Sequence, residues 1–175
     1  MDTIETRKQN EQDLKFEVVY SYYFEKFMNK FYSRLDKLIL FILMVLAIIA
    51  ITGTSNIVII GSVSAILIFV LIVSQAGARA QATKTIYQEY LKLYQNFDNV
   101  DIDTIKRRFR AIQEKDNEEI NCLAYPAHAA TAQLLGYDDL PRELSTLEKL
   151  YVLFIGETIE YEFKKEPNPY IKIKQ

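Results

Sequence analysis

Between positions 38 and 78 the chain has no Asp, Glu, Lys, Arg or His, although 25% of its 175 residues are charged. A soluble domain interleaves charged and apolar residues, because each surface element needs a wet face. A charge-free run of this length excludes an ordinary globular core and points to lipid. Other scarcities narrow the field further. With a formal net charge of −2, the chain lacks the basic excess of a nucleic-acid binder, so no nucleic acid is expected as a partner. A single cysteine, Cys122, cannot close an internal disulfide, and nothing implies an oxidising compartment. No basic pattern beside it marks a nucleophile, which leaves it as a small packing residue. His128 is the only histidine and has no second ligand at metal-site spacing, so a packed or capping role is expected. Five glycines leave little room for a phosphate-cradling loop. No P-loop, dinucleotide fingerprint, zinc ligand set, nucleophile elbow or long repeat is present. No enzyme activity, catalytic residue, cofactor or metal is therefore expected.

The expected fold class is an all-α membrane protein. It has a two-helix transmembrane hairpin (38–78) whose helices extend into a small helical cytoplasmic domain. One span covers about residues 38–52, and the other starts at 57 and ends near 77 or 78. The turn Gly53-Thr54-Ser55-Asn56 joins them with residues that favour tight reversals. A single helix through the whole run would be roughly twice as long as a bilayer requires, so two spans fit better. Lys26, Lys30, Arg34 and Lys37 precede the first span, and Arg79 and Lys84 follow the second, whereas the turn carries no charge. The positive-inside rule then puts both termini in the cytoplasm. The polar N-terminal segment lacks the basic and apolar regions of a cleaved signal, so the first span is expected to act as an uncleaved anchor. The expected location is a bacterial plasma membrane, crossed twice.

Polar residues inside the spans are few: Thr52, Ser62, Ser64, Ser74 and Gln75. Gly61 and Ala65 make a small-xxx-small pair, a spacing that permits close helix approach. Gly61, Ser62, Ser64, Ala65, Ser74 and Gln75 are the candidates for helix packing or for lining a pore. The bland reading has them pack the hairpin on itself. The sharper one makes them an oligomer interface. No ionisable group lies in the spans, which argues against a proton relay or voltage sensor.

Residues 1–37 read as an N-terminal amphipathic aromatic helix. Phe16, Tyr20, Tyr23, Phe24, Phe27 and Phe31 recur at steps of three and four, and no breaker separates them from the first span. The second span is expected to leave the membrane equally unbroken, with Ile86, Tyr87, Tyr90, Leu91, Tyr94 and Phe97 as its stripe. The two aromatic faces should then pack against each other. Residues 79–160 should form the cytoplasmic helical region, and 161–175 a tail containing two prolines. Asp103 is the expected N-cap of a helix over 104–115, with Ile105, Phe109 and Ile112 inward. Its other side carries Lys106, Arg107, Arg108 and Arg110, candidates for lipid or nucleotide phosphates, or else a solvated face. A helix over 121–136 would have Pro126 in its first turn and Gly136 just past its end. Ser145 and Glu148 match a capping box for a last helix with Leu147, Leu150, Phe154 and Tyr161 as its apolar side. The stretch YVLFIG could also form a strand.

This layout resembles the SLATT family of bacterial two-transmembrane effectors. The residues that carry the likeness are the GTSN turn, ARAQATKTIYQEYLKLYQNF directly after the second span, and DIDTIKRRFRAIQEKDNEEINCLAYPAHAATAQLLG. The resemblance spans roughly residues 12 to 160. It implies an oligomeric effector that perforates or depolarises its host membrane in an antiphage conflict system when a nucleotide-sensing partner triggers it. No sensor segment is recognised in this chain, so a separate sensor protein or a direct trigger is implied. The alternatives are a non-conducting scaffold that recruits a soluble cytoplasmic partner, and a holin-like lysis protein. The size of the cytoplasmic part counts against the holin.

Overall fold

The computed structural model describes residues 2–53, 56–116, 120–137 and 142–157, with side chains from residue 8 onward. All regular structure among them is helical: α1 (Asp2–Thr52), α2 (Ile57–Ser74), α3 (Ala76–Gln95), α4 (Ile102–Gln113), α5 (Asn121–Leu135) and α6 (Thr146–Ile155). The chain lacks Gly and Pro before residue 53, and α1 accordingly runs unbroken for 51 residues. At 1.5 Å per residue that is roughly 77 Å, far more than a small domain is wide.

α1 and α3 pair antiparallel along a seam. Leu14, Val18, Ser21, Glu25, Met28, Tyr32, Leu35 and Ile39 follow one another at alternating steps of four and three, and all but Ser21 and Leu35 are buried. That spacing keeps one stripe of a helix against its partner, as in a coiled coil. On α3 the buried positions are Ala76, Ala80, Thr83, Ile86, Tyr90 and Leu93. Cross-links fix the direction: Arg79 donates to the Tyr32 hydroxyl at 3.2 Å, Asn29 donates to the Ala80 carbonyl, and Lys15 pairs with Asp98 at 3.2 Å.

Two cores form on this pair. In one, Phe24, Phe27, Met28 and Tyr32 of α1 and Ala76 and Ala80 of α3 close on Leu123, Ala127 and Ala130 of α5 and Ile155 of α6. In the other, Leu14, Val18, Ile86, Tyr90, Leu93 and Phe97 receive Ile105, Phe109 and Ile112 of α4, the inward face expected for that helix. The two aromatic stripes therefore do not face each other along their length. Tyr22 meets Tyr87 edge-on at 6.2 Å, but Phe16 packs on His128 and Tyr137, and Phe31 on Tyr151 and Phe154. The α1 aromatics mainly seat α5 and α6, because the small Ala76, Ala80 and Thr83 already bring α3 close to the seam.

Local chemistry departs from the sequence reading at three places. The cap of α4 is Asp101, not Asp103: its carboxylate accepts from the Asp103 N–H at 3.2 Å. Ile102 packs against the α4 core, which draws the helix start forward, and Asp103 falls in the first turn, where the dipole favours it. Pro126 lies inside α5 rather than in its first turn, since the helix starts at Asn121 to bury Leu123. Gly136 caps α5 in the left-handed conformation, as expected. YVLFIG is helical up to its closing Gly156, as the expected last helix requires, and its alternative as a strand is not taken up. The third departure is the face of α6. Its capping box is as expected, with Ser145 Oγ accepting from Glu148 N–H at 3.3 Å and Glu148 accepting from Ser145 N–H at 2.8 Å. Yet Val152 and Ile155 are buried, while Leu147 and Leu150 stay 62% and 58% exposed. Glu148 explains this. It is buried on the stripe that continues to Val152 and Ile155, and the exposed Arg142 satisfies both its oxygens at 2.8 and 2.7 Å. Tyr161, the two-proline tail and residues 54–55 and 138–141 of the turns lie outside the described residues.

The Arg142 bonds, opposed by burial and aided by the bonds from Ser145, bring the Glu148 carboxyl from 4.5 down to about 2. The folded chain binds that proton less readily than the unfolded one, so the stabilisation is complete above about pH 4.5. It fades as the pH falls toward about 2. Glu148→Gln should therefore lower stability at neutral pH by about 1–2 kcal/mol and flatten the loss between those values. Thermal melts across this pH range, parent beside variant, check both effects.

Candidate functional site

Eighteen of the twenty-three exposed large apolar side chains in the described residues fall between Leu38 and Val73. Ile51, Val58 and Phe69 are 86%, 70% and 67% exposed, and only Ile39 and Ile60 of this stretch are buried. Leaving such side chains in water costs about 1.5–3 kcal/mol each when fully exposed. Even at half that, the sum exceeds the roughly 5–15 kcal/mol by which a domain is usually stable. Something apolar must cover them. Two helices of the chain are long and apolar enough to cross a membrane.

The residues singled out in the second span take distinct places. Gly61, Ser62 and Ala65 are exposed, and Ser64 and Ser74 are half-buried. Ser62 and Ser74 hydroxyls turn back onto the carbonyls of Val58 and Leu71 at 2.9 and 3.4 Å. A methyl group added at Gly61 would meet nothing within 4 Å. The Gly61 face thus does not pack the chain on itself, and the surface it shares with Ala65 is open.

The expectation of an unbroken helix out of the second span is corrected at Gln75. This residue is left-handed, with φ 46° and ψ 36°, the one non-glycine at positive φ among those described. The conformation costs a side-chain-bearing residue about 1–2 kcal/mol. Its own backbone groups stay bonded, with Gln75 N–H donating to Leu71 C=O at 3.2 Å and Arg79 N–H to Gln75 C=O at 2.9 Å. Gln75 closes α2 and opens α3, whose Ala76 and Ala80 lie in the seam. Gln75 itself is neither glycine nor proline, and the nearby Gly77 lies inside α3, so the sequence does not mark the residue that takes the left-handed turn.

Lys106, Arg107, Arg108 and Arg110 line the outer side of α4, Lys106 half-buried and the others exposed. Arg107 donates to Thr104 Oγ1 at 3.1 Å. Phe109 packs on Tyr90, fourteen residues along from the start of α3. That places the group roughly 20 Å from the apolar stretch, well beyond a Debye length of about 8 Å. Cys122 is half-buried. His128 lies between the rings of Phe16 and Tyr125, at 5.0 and 6.2 Å between centroids.

The six cations that flank the apolar stretch divide into two groups. Lys26 and Lys30 converge on Glu157. Burial pushes the Glu157 carboxyl up, but the two ammonium groups outweigh it and hold it below the ordinary carboxylate range. Arg34 donates to the Phe154 carbonyl at 2.7 Å and lies against Gly156, whose φ of 63° and missing side chain make room for the guanidinium. Arg79 covers the Tyr32 ring at 5.7 Å. Lys37 and Lys84 are exposed and line a groove between α1 and α3. No known family model, curated protein or solved structure matches this chain.

Gln75→Gly should relieve the left-handed strain and raise stability by up to about 1 kcal/mol, and Gln75→Val should lower it by a similar amount. Melting temperatures of the purified protein in detergent test the pair. Equal melting of the three proteins would show that position 75 carries no strain.

Proposed function

We propose that α1 and α2 cross a bacterial plasma membrane as a hairpin with both termini in the cytoplasm, and that several copies assemble there to perforate or depolarise it. The observation that carries this reading is the bare apolar surface from residue 38 to 73 beside a well-packed helical body. Lipid covers such a surface at no cost to the body, and a charge-free turn crosses a bilayer readily. Basic residues at only one end of the apolar stretch support the orientation.

Assembly is supported by the open Gly61–Ala65 face on α2. Two spans are too few to enclose a path, so any pore needs several copies. Helices in lipid associate through close packing of small residues, because lipid tails remove the hydrophobic drive. The resemblance to two-span SLATT effectors gives the role: an antiphage effector that acts on its own host membrane, with a separate sensor protein as trigger. This reading gives the chain no enzymatic step.

A second reading, a membrane-tethered adaptor, is favoured by one feature of the cytoplasmic body. Leu147, Leu150 and Leu153 stand 62%, 58% and 74% exposed along α6, a row that a soluble partner would cover.

Membrane potential in living bacteria, followed with a voltage-sensitive dye during induced expression, separates the two. The effector reading expects rapid depolarisation by the parent and its loss in Gly61→Leu at equal membrane level. Depolarisation that survives Gly61→Leu and other changes across the second span would sink the assembled pore. An unchanged potential, with a co-purifying soluble protein lost on Leu150→Asp, would establish the adaptor instead.

A further inference from the structure

We infer that the groove between α1 and α3 at the end of the apolar stretch is a binding site for the phosphate of a membrane phospholipid. The inference rests on the membrane reading above for its lipid source, but the groove itself is a property of the packed body. It has a volume of about 320 Å³ and is lined by Asn29, Ser33, Asp36 and Lys37 of α1 and by Gly77, Ala80, Gln81 and Lys84 of α3.

Three observations point to phosphate. First, of the six flanking cations, four are engaged by the protein: Lys26 and Lys30 with Glu157, Arg34 with the Phe154 carbonyl, and Arg79 with Tyr32. The remaining two, Lys37 and Lys84, come from different helices and meet at this groove. Second, Lys37 immediately precedes the first residue of the charge-free run, so the groove sits at the depth of lipid headgroups when the apolar helices are in a bilayer. Lysine stems also reach along apolar surface while keeping the ammonium at the polar boundary. Third, the remaining polar groups suit an anion. Ser33 and Gln81 bring a hydroxyl and an amide to the groove, while Asn29 is held to the Ala80 carbonyl and shapes the wall.

Asp36 is the opposing group. A methyl added at Gly77 would stand 3.4 Å from its Oδ1, so this carboxylate lies against the α3 backbone on the wall of the groove. Two lysines against one aspartate leave a single net positive charge, which matches one phosphodiester. Asp36 therefore weakens the site and sets its charge balance. That gives a variant whose effect runs opposite to mere damage.

The test uses the full-length protein purified in detergent and native mass spectrometry with added phosphatidylglycerol or phosphatidylcholine. Phosphatidylglycerol should be retained over phosphatidylcholine, and Lys37→Gln/Lys84→Gln should weaken its retention by about tenfold or more. Asp36→Asn should strengthen it, and Arg107→Gln/Arg108→Gln on α4 should leave it unchanged. Competition by millimolar inorganic phosphate would keep the site and assign its ligand to phosphate in solution. Equal retention of both lipids, or retention indifferent to the double lysine change, overturns the inference. A protein that washes off membranes in alkaline carbonate would sink the membrane reading alone. Broadening of the phosphorus resonance of inorganic phosphate, lost in the double variant, would still uphold the groove.

Discussion

The body of the protein depends on the antiparallel seam between α1 and α3, and above all on how large and small residues face each other across it. Near the apolar stretch α1 contributes Tyr32 and Met28, and α3 answers with Ala76, Ala80 and Thr83. Toward the other end the sizes reverse, with Val18 and Ser21 on α1 facing Tyr90 on α3 and Phe97 just past its end. A slip by one turn would set large against large at one end and leave gaps at the other. Overpacking and cavities each cost on the order of 1–5 kcal/mol, so a single register wins. α4, α5 and α6 then dock on surfaces that this register creates.

Polar groups inside the seam reinforce the choice. Tyr90 is fully buried, and its hydroxyl bonds both Asp116 oxygens at 2.9 and 2.8 Å. Burial first, and the Asp116 bonds second, push its phenol far above its usual range, so it remains a neutral donor. Thr83 is buried too, with its hydroxyl turned onto the carbonyls of Arg79 and Ala80 at 2.9 and 3.1 Å. Such groups are costly when mispaired, which favours one alignment over its neighbours. The seam ends at Ile39 and Ala76. Beyond them few side chains find a partner within the chain, and the exposed surface changes from polar to apolar.

Much of this architecture was legible in the sequence because strong periodic signals carry it. The charge-free run, the unbroken α1, the inward face of α4, the capping box at Ser145 and the glycine after α5 all follow from local chemistry. The seam was less visible. Ser21 and Glu25 interrupt its apolar repeat, so the aromatic stripe next to it looked stronger, although that stripe mainly serves α5 and α6. The face of α6 was misread in part, since Phe154 packs inward on Phe31 as expected while Leu147 and Leu150 stay exposed. Leu147 and Leu150 have the apolar spacing, but the buried Glu148, held by an exposed Arg142 outside the helix, lies on the stripe that faces the body. The groove at Lys37 and Lys84 joins residues 47 apart in the chain, and only the folded register brings them together.

The left-handed residue at Gln75 has a mechanical consequence. Above it stands α2, 18 residues long, or roughly 27 Å of nearly rigid rod. Below it, α3 is clamped along the seam. Bending at one joint is magnified at the far tip, and each 10° of swing moves the start of α2 by roughly 5 Å. The joint behaves as the fulcrum of a lever whose short arm is held by the body and whose long arm ends at the Asn56 cap. Small adjustments of backbone angle at one exposed glutamine thus set how far apart the tips of α1 and α2 stand.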